Sequence, residues 1–199
     1  MIDHLVFAGP DLAMAAASAE SILGLASIEG GRHVGFGTAN RLIGLGPSTY
    51  LEIIGPDPTQ PDPVFSRPFD IDVLDEPRLV AWAVTVSDIE ATRRAIEPVV
   101  VGPPVEMTRR TPKGDLLRWR LTPPVAGSLP FFINWLDTPH PAGQLEHVAR
   151  LVDLRIEDSD LADVRKVVKA LNLPVSTRKA WEPRIAATID LADRRVVLW

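Results

Sequence analysis

Four side chains among the first 52 residues have types from which a small-molecule site is built: His4, His33, Asn40 and Glu52. Glu52 is the one carboxylate in the run YLEII, and a charge there is costly unless it is paired, coordinated or turned to water. His4 stands in DHLVFA, a second apolar run. Glu52 is a candidate general base, with His33 as a second catalytic candidate. The plainer readings are a buried hydrogen-bonded pair for His4 and Glu52 and turn stabilisation for His33 and Asn40 within GGRHVGFGTAN.

The segment EMTRRTPKGDLLRWRL concentrates Arg109, Arg110, Lys113, Arg118 and Arg120 around Trp119. As a strand it places Leu117, Trp119 and Leu121 on one face and Leu116, Arg118 and Arg120 on the other. An arginine row lining a cup binds a carboxylate or phosphate in bidentate fashion. Arg118, Arg120, Trp119 and Asn40 are therefore the substrate-binding candidates, and a small anionic molecule is the expected partner. The competing reading of the arginines is a solvated strand face. His140 and His147 lie in linker sequence and read as surface residues.

Composition narrows the chemistry. With no cysteine among 199 residues, disulfides, thiolate nucleophiles and Cys-based zinc sites are excluded. A net charge of -5 argues against nucleic acid or an anionic membrane as the main partner. No apolar run approaches the ~20 residues of a membrane span, and MIDHLVFAGPDL lacks the features of a signal peptide, so a cytoplasmic location is the expectation. GxGxxG and the Gly-x-Ser-x-Gly elbow are both absent, which leaves phosphate-loop and triad chemistry unsupported.

The elements that position these residues come from the hydrophobic pattern. A strand over 2–8 precedes a helix capped by Asp11 and closed by Gly24. Strands follow over 32–37, 40–45 and 49–54. The Pro- and Asp-rich linker 57–78 is expected to be too polar to supply core. A strand over 79–86 and a helix opened by the capping box Ser87-Asp88-Ile89-Glu90 repeat the pattern. Strands over 105–110, 116–121 and 129–136 complete it. Aligning Asp11 with Asp88 superposes HLVFAGPDL on AWAVTVSDI, a long internal repeat. The repeat reads as an α+β arrangement of two βαβββ modules over 1–56 and 79–137 within a 1–138 domain. The remaining 139–199 read as an extension of strand, helix and hairpin, a shortened third copy.

The motifs DHLVFA-x-PDL, GGRH-x-G-x-GT-x-N, YLEIIGPDP, RxTPKGDLLRWRL and LPFFINW occur in this order over 2–136. In them the chain resembles the glyoxalase-like domain family of the vicinal oxygen chelate superfamily. The resemblance implies that the two modules form a cupped sheet and that one divalent metal (Mn, Fe, Ni or Zn) is held by first- and last-strand positions of each module: His4 and Glu52 in the first, Ala81 and Asn134 in the second. Ala81 cannot bind a metal, and Asn134 offers only a neutral amide oxygen. The implied activity is that of a metal-assisted lyase, isomerase or dioxygenase acting on a small anionic oxygen-bearing substrate. The rival reading is a metal-free binding protein that uses the same cup. A homodimer is compatible with the resemblance, and no sequence feature requires it.

Overall fold

The computed structural model describes residues 1–110, 114–123 and 128–199. The first module runs β1 (Ile2–Ala8), α1 (Leu12–Leu23), β2 (Ile28–His33), β3 (Thr38–Gly44) and β4 (Tyr50–Pro56). The second runs β5 (Arg78–Thr85), α2 (Ile89–Ala95), β6 (Val105–Arg110), β7 (Leu116–Leu121) and β8 (Phe131–Asn134). Both helices begin where a side chain satisfies the free backbone donors. Asp11 accepts from the Met14 amide at 2.8 Å and Asp88 from the Ala91 amide at 2.9 Å. Gly24, at φ 68°, ends α1 in the left-handed conformation that glycine adopts without strain.

The eight strands of the two modules form one sheet in the order β2-β3-β4-β1-β5-β8-β7-β6. Each module contributes four strands, and β1 runs antiparallel to β5. Within each module the first and last strands are parallel neighbours. The halves are thus related by an approximate two-fold axis between β1 and β5. One face packs on the helices through Leu5, Phe7, Leu51, Ile53, Trp82 and Phe132, all buried. The other curls into a cup until the outer strands β2 and β6 approach each other. There the Arg109 side chain lies against Gly31, 2.7 Å from where a Cβ would stand.

Three expectations need correction. The second strand begins at Ile28 rather than 32, because Gly30 and Gly31, poor strand formers in general, are needed for close approach. A Cβ on Gly30 would stand 2.2 Å from the Asn40 Oδ1, and one on Gly31 would meet Arg109. The linker also supplies core. Ile71 and Leu74 are buried with Val6, Ala8 and Ile54, and Pro68 and Phe69 line the cup. Arg67 holds the segment in place by donating to the Gly37 carbonyl at 3.0 Å and pairing with Asp62 and Asp72. The expected turn at Pro112-Lys113 and the side chain of Arg110 lie outside the described residues.

The third correction concerns the extension, which carries one strand more than expected: β9 (Arg150–Asp158), α3 (Ala162–Ala170), β10 (Val175–Lys179), β11 (Arg184–Asp190) and β12 (Arg195–Leu198). The added β10 is a largely exposed edge strand of polar sequence, VSTRK, without an alternating apolar signature. The strand order is β10-β9-β11-β12. Only the element order repeats that of the modules; here the second strand, not the last, lies parallel beside the first. Leu154, Ile156, Val167, Ala187 and Ile189 belong to the same apolar cluster as Leu5 and Trp82. Backbone bonds from Leu151 to Leu45 at 3.0 Å and from Leu79 to Trp199 at 2.8 Å tie the extension to the modules.

Candidate functional site

The cup encloses a cavity of about 430 Å³. Most of its lining is apolar, with Trp119, Phe131, Phe69, Met107 and Ile133 on the side built by the second module and the linker. His4, His33, Asn40, Tyr50 and Glu52 come from the first module, on β1 to β4. Period-two alternation explains the grouping. Tyr50, Glu52 and Ile54 face the cavity from β4, while Leu51 and Ile53 face the helices.

Glu52 is the centre of this wall and is 8% exposed. Its Oε1 accepts from the Asn40 Nδ2 at 2.5 Å and lies 3.7 Å from the His33 Nε2. Its Oε2 lies 3.6 Å from the His4 Nε2, beyond hydrogen-bond distance. The paired reading of His4 and Glu52 is therefore replaced by a hydrogen bond to Asn40. The His33 Nδ1 is 3.0 Å from the Thr38 hydroxyl. Burial holds the imidazole of His33 below its ordinary pKa of 6.5, with Arg109 and His4 acting in the same direction against Glu52. His33 is then neutral at physiological pH, and its Nε2 faces the Asn40 amide at 3.4 Å.

His4 is set from behind. Its Nδ1 lies 2.6 Å from Asp3 Oδ1, so the Nδ1 proton is given to Asp3 and Nε2 faces Glu52. Neighbours on a strand ordinarily point to opposite faces. Here the β1–β5 register shifts between Ile2 and His4, and this bulge lets the two side chains meet. Asp3 also accepts from the Trp135 Nε1 at 2.9 Å, from the His140 Nε2 at 3.1 Å and from the Thr85 hydroxyl. Burial alone would raise the Asp3 pKa, but the bonds from His140, His4 and Thr85 outweigh it and hold the carboxyl below its ordinary range. The His4 ring stacks on Tyr50 with centroids 4.7 Å apart. Burial, then the charges of Asp3 and Glu52, push the Tyr50 hydroxyl well above its ordinary range, so it stays protonated.

The structure brings together His4, His33, Asn40, Glu52 and Trp119. It does not bring Arg118, Arg120 or Asn134 to them. Trp119 and Leu121 face the cavity, and alternation turns Arg118 and Arg120 to the opposite face of β7. The cationic side chain in the cup is instead Arg109 from β6, 8% exposed, whose Nη1 donates to Asn40 Oδ1 at 3.2 Å. The Asn134 amide is used locally, donating to the Ser87 carbonyl at 2.7 Å and accepting from the Leu136 amide at 2.8 Å. His140, read as a surface residue, holds Asp3; His147 remains exposed, with its Nε2 3.0 Å from the Ala142 carbonyl. Sequence reasoning missed Asp3, Tyr50 and Arg109 as site residues. The DH pair opening β1 and the glycine pair opposite Arg109 are the signals that mark two of them.

The paired register also corrects the second module's ligand positions. Val6 pairs with Glu52 on β4, and Ala83, the repeat equivalent of Val6, pairs with Phe131 on β8. Phe131 rather than Asn134 thus occupies the position of Glu52, and Ala81 that of His4. The chelate that the resemblance implies draws donors from both modules, and Ala81 and Phe131 offer none at the second pair. Among the described residues no group of three or more His, Cys, Asp and Glu side chains is arranged to hold a metal ion. The implied chelate does not fit these residues.

The family model described as "Glyoxalase-like domain" matches residues 2–172. No curated protein matches the chain. Among solved structures, a hypothetical protein from Staphylococcus aureus is similar at TM-score 0.61 and 16% identity, covering 98% of this chain and 83% of that one. A methylmalonyl-CoA epimerase variant from Streptomyces coelicolor, in complex with 2-nitronate-propionyl-CoA, is similar at 0.45 and 17%, covering 71% and 98%. An Mn(II)-bound glyoxalase from Novosphingobium aromaticivorans gives 0.48 and 10%, covering 92% and 62%. Among the described residues no helix is long and apolar enough to cross a membrane. With residues 2–172 matched and two paired βαβββ modules forming the cup, this chain belongs to the glyoxalase-like domain family.

Proposed function

We propose that this protein is an isomerase- or lyase-type enzyme that moves a proton on a small oxygen-bearing substrate held in the cup. The observation that carries the reading is the position of Glu52: a carboxylate on the wall of a largely apolar cavity, beside two histidines and bonded to Asn40. Such a cavity with a few converging polar groups is the usual form of a small-molecule site. Glu52 takes a proton from carbon next to a carbonyl group; the C–H electron pair moves onto the carbonyl oxygen, giving an enolate. The Tyr50 hydroxyl, kept protonated by burial, lines the same cavity and is a donor to that oxygen. Return of the proton to a different position or face completes an isomerisation, and loss of a neighbouring leaving group completes a lyase reaction. His4, oriented by Asp3, provides the second proton-handling group at Nε2. No step uses a metal.

Deuterium exchange tests this reading. A panel of enolisable 2-oxo acids, thioesters and ketones in D2O is followed by NMR. The wild type should exchange at least one compound, and Glu52→Gln should slow that exchange by about a hundredfold or more. No exchange across the panel, or equal rates in the two proteins, contradicts it. A second reading, a binding protein without turnover, is favoured by the absence of polar side chains from β5 and β8 in the cavity lining.

A further inference from the structure

Arg109 is the only lysine or arginine among the described residues lining the cavity. It is 8% exposed, and no carboxylate among the described residues lies within ion-pair distance of it. Its one side-chain hydrogen bond among the described residues runs from Nη1 to Asn40 Oδ1 at 3.2 Å. A guanidinium has five N–H donors, and none of the remaining Arg109 nitrogens is both sealed in protein and unpartnered, so they open onto the cavity. A buried cation without a matched anion is costly to keep. The chain nevertheless makes room for it, since any side chain at Gly31 would collide with Arg109. Asn40 stands between the two charges, donating to Glu52 and accepting from Arg109. The cation therefore stays available, and Glu52 stays free to act as a base.

We infer that the cavity binds a carboxylic acid with an apolar body, its carboxylate on Arg109 and its body against Trp119, Phe131 and Phe69. The inference rests on the preceding reading for which part of the molecule reacts, because a ligand anchored on Arg109 lies near Glu52, which shares Asn40 with that arginine. A guanidinium fork matches the two oxygens of a carboxylate and places them on one side of the cavity. The largely apolar lining disfavours a second charged group, so the class is monocarboxylates of moderate size.

Calorimetric titration tests this with matched pairs: 3-phenylpropanoate against 3-phenylpropanamide, and octanoate against octanamide. The wild type should bind each acid about tenfold or more tightly than its amide. Arg109→Gln should bind acid and amide alike, and Arg109→Lys should keep part of the preference. Glu52→Gln should retain it in full, which separates binding from proton transfer. Equal binding of acid and amide by the wild type, binding of neither, or a preference that survives in Arg109→Gln overturns the inference. Loss of the preference alongside Glu52-dependent exchange overturns it and leaves the acid–base reading standing. A carboxylate preference with no exchange supports the subsite and contradicts the acid–base reading.

Discussion

Asp3 holds more of the site together than its place one residue from a candidate ligand suggests. Its carboxylate accepts from His4, Trp135, His140 and Thr85 while fully buried. An amide there reverses the sense of at least one of these bonds, and hydrogen bonds to a charged group are strong. Asp3→Asn should lower unfolding free energy by about 3 kcal/mol in urea titration; an unchanged midpoint would show that the network contributes nothing. His33 gives a pH prediction. Its pKa is depressed by burial, so below about 6.5 the unfolded chain binds a proton that the folded chain refuses. Stability should therefore fall as pH drops from 6.5 toward 5, and His33→Gln should lack that decline. Parallel curves for the two proteins would contradict the assignment. The residue types at this site were legible in the sequence for His4, His33, Asn40 and Glu52. Arg109 was hidden among five neighbouring cations, because which of them faces the cup depends on strand phase and on Gly31 across the mouth.

The connection between the modules behaves as an element of the cup. Ile71 is fully buried beneath it, and Phe69, two residues earlier, closes one side of the cavity. Ile71→Ala should cost about 3 kcal/mol, within the range for truncating a buried isoleucine, as read from the urea midpoint. A change below about 1 kcal/mol would mean that the segment only drapes over the surface. Strand and helix positions in the modules were largely readable from apolar runs, Asp11, Asp88 and Gly24. The linker was not, since 57–78 carries many Pro and Asp residues and its few apolar side chains have no period. The edge strand β10 escaped for a related reason. Its exposed polar residues leave no alternation to read, and only its pairing with β9 makes it a strand.

At the scale of the molecule, the two halves have the same fold and different surfaces. The internal repeat made the paired architecture legible before any coordinates, because Asp11 and Asp88 cap equivalent helices after equivalent strands. It did not reveal the division of labour. The register that places Phe131 opposite Ala83 decides which residues are equivalent across the axis, and a four-residue β8 leaves that register open in the sequence. The first module supplies His4, His33 and Glu52, the side chains that we propose handle protons, and the second supplies an apolar wall and one arginine. In the reaction we propose, the wall of Glu52, His4 and His33 works without a chelated metal. The most direct test is the deuterium exchange rate of the wild type before and after exhaustive chelator treatment, with metal content measured on the same samples. The rate should be unchanged in metal-depleted protein. A rate lost on depletion and restored by added Mn(II) would contradict it.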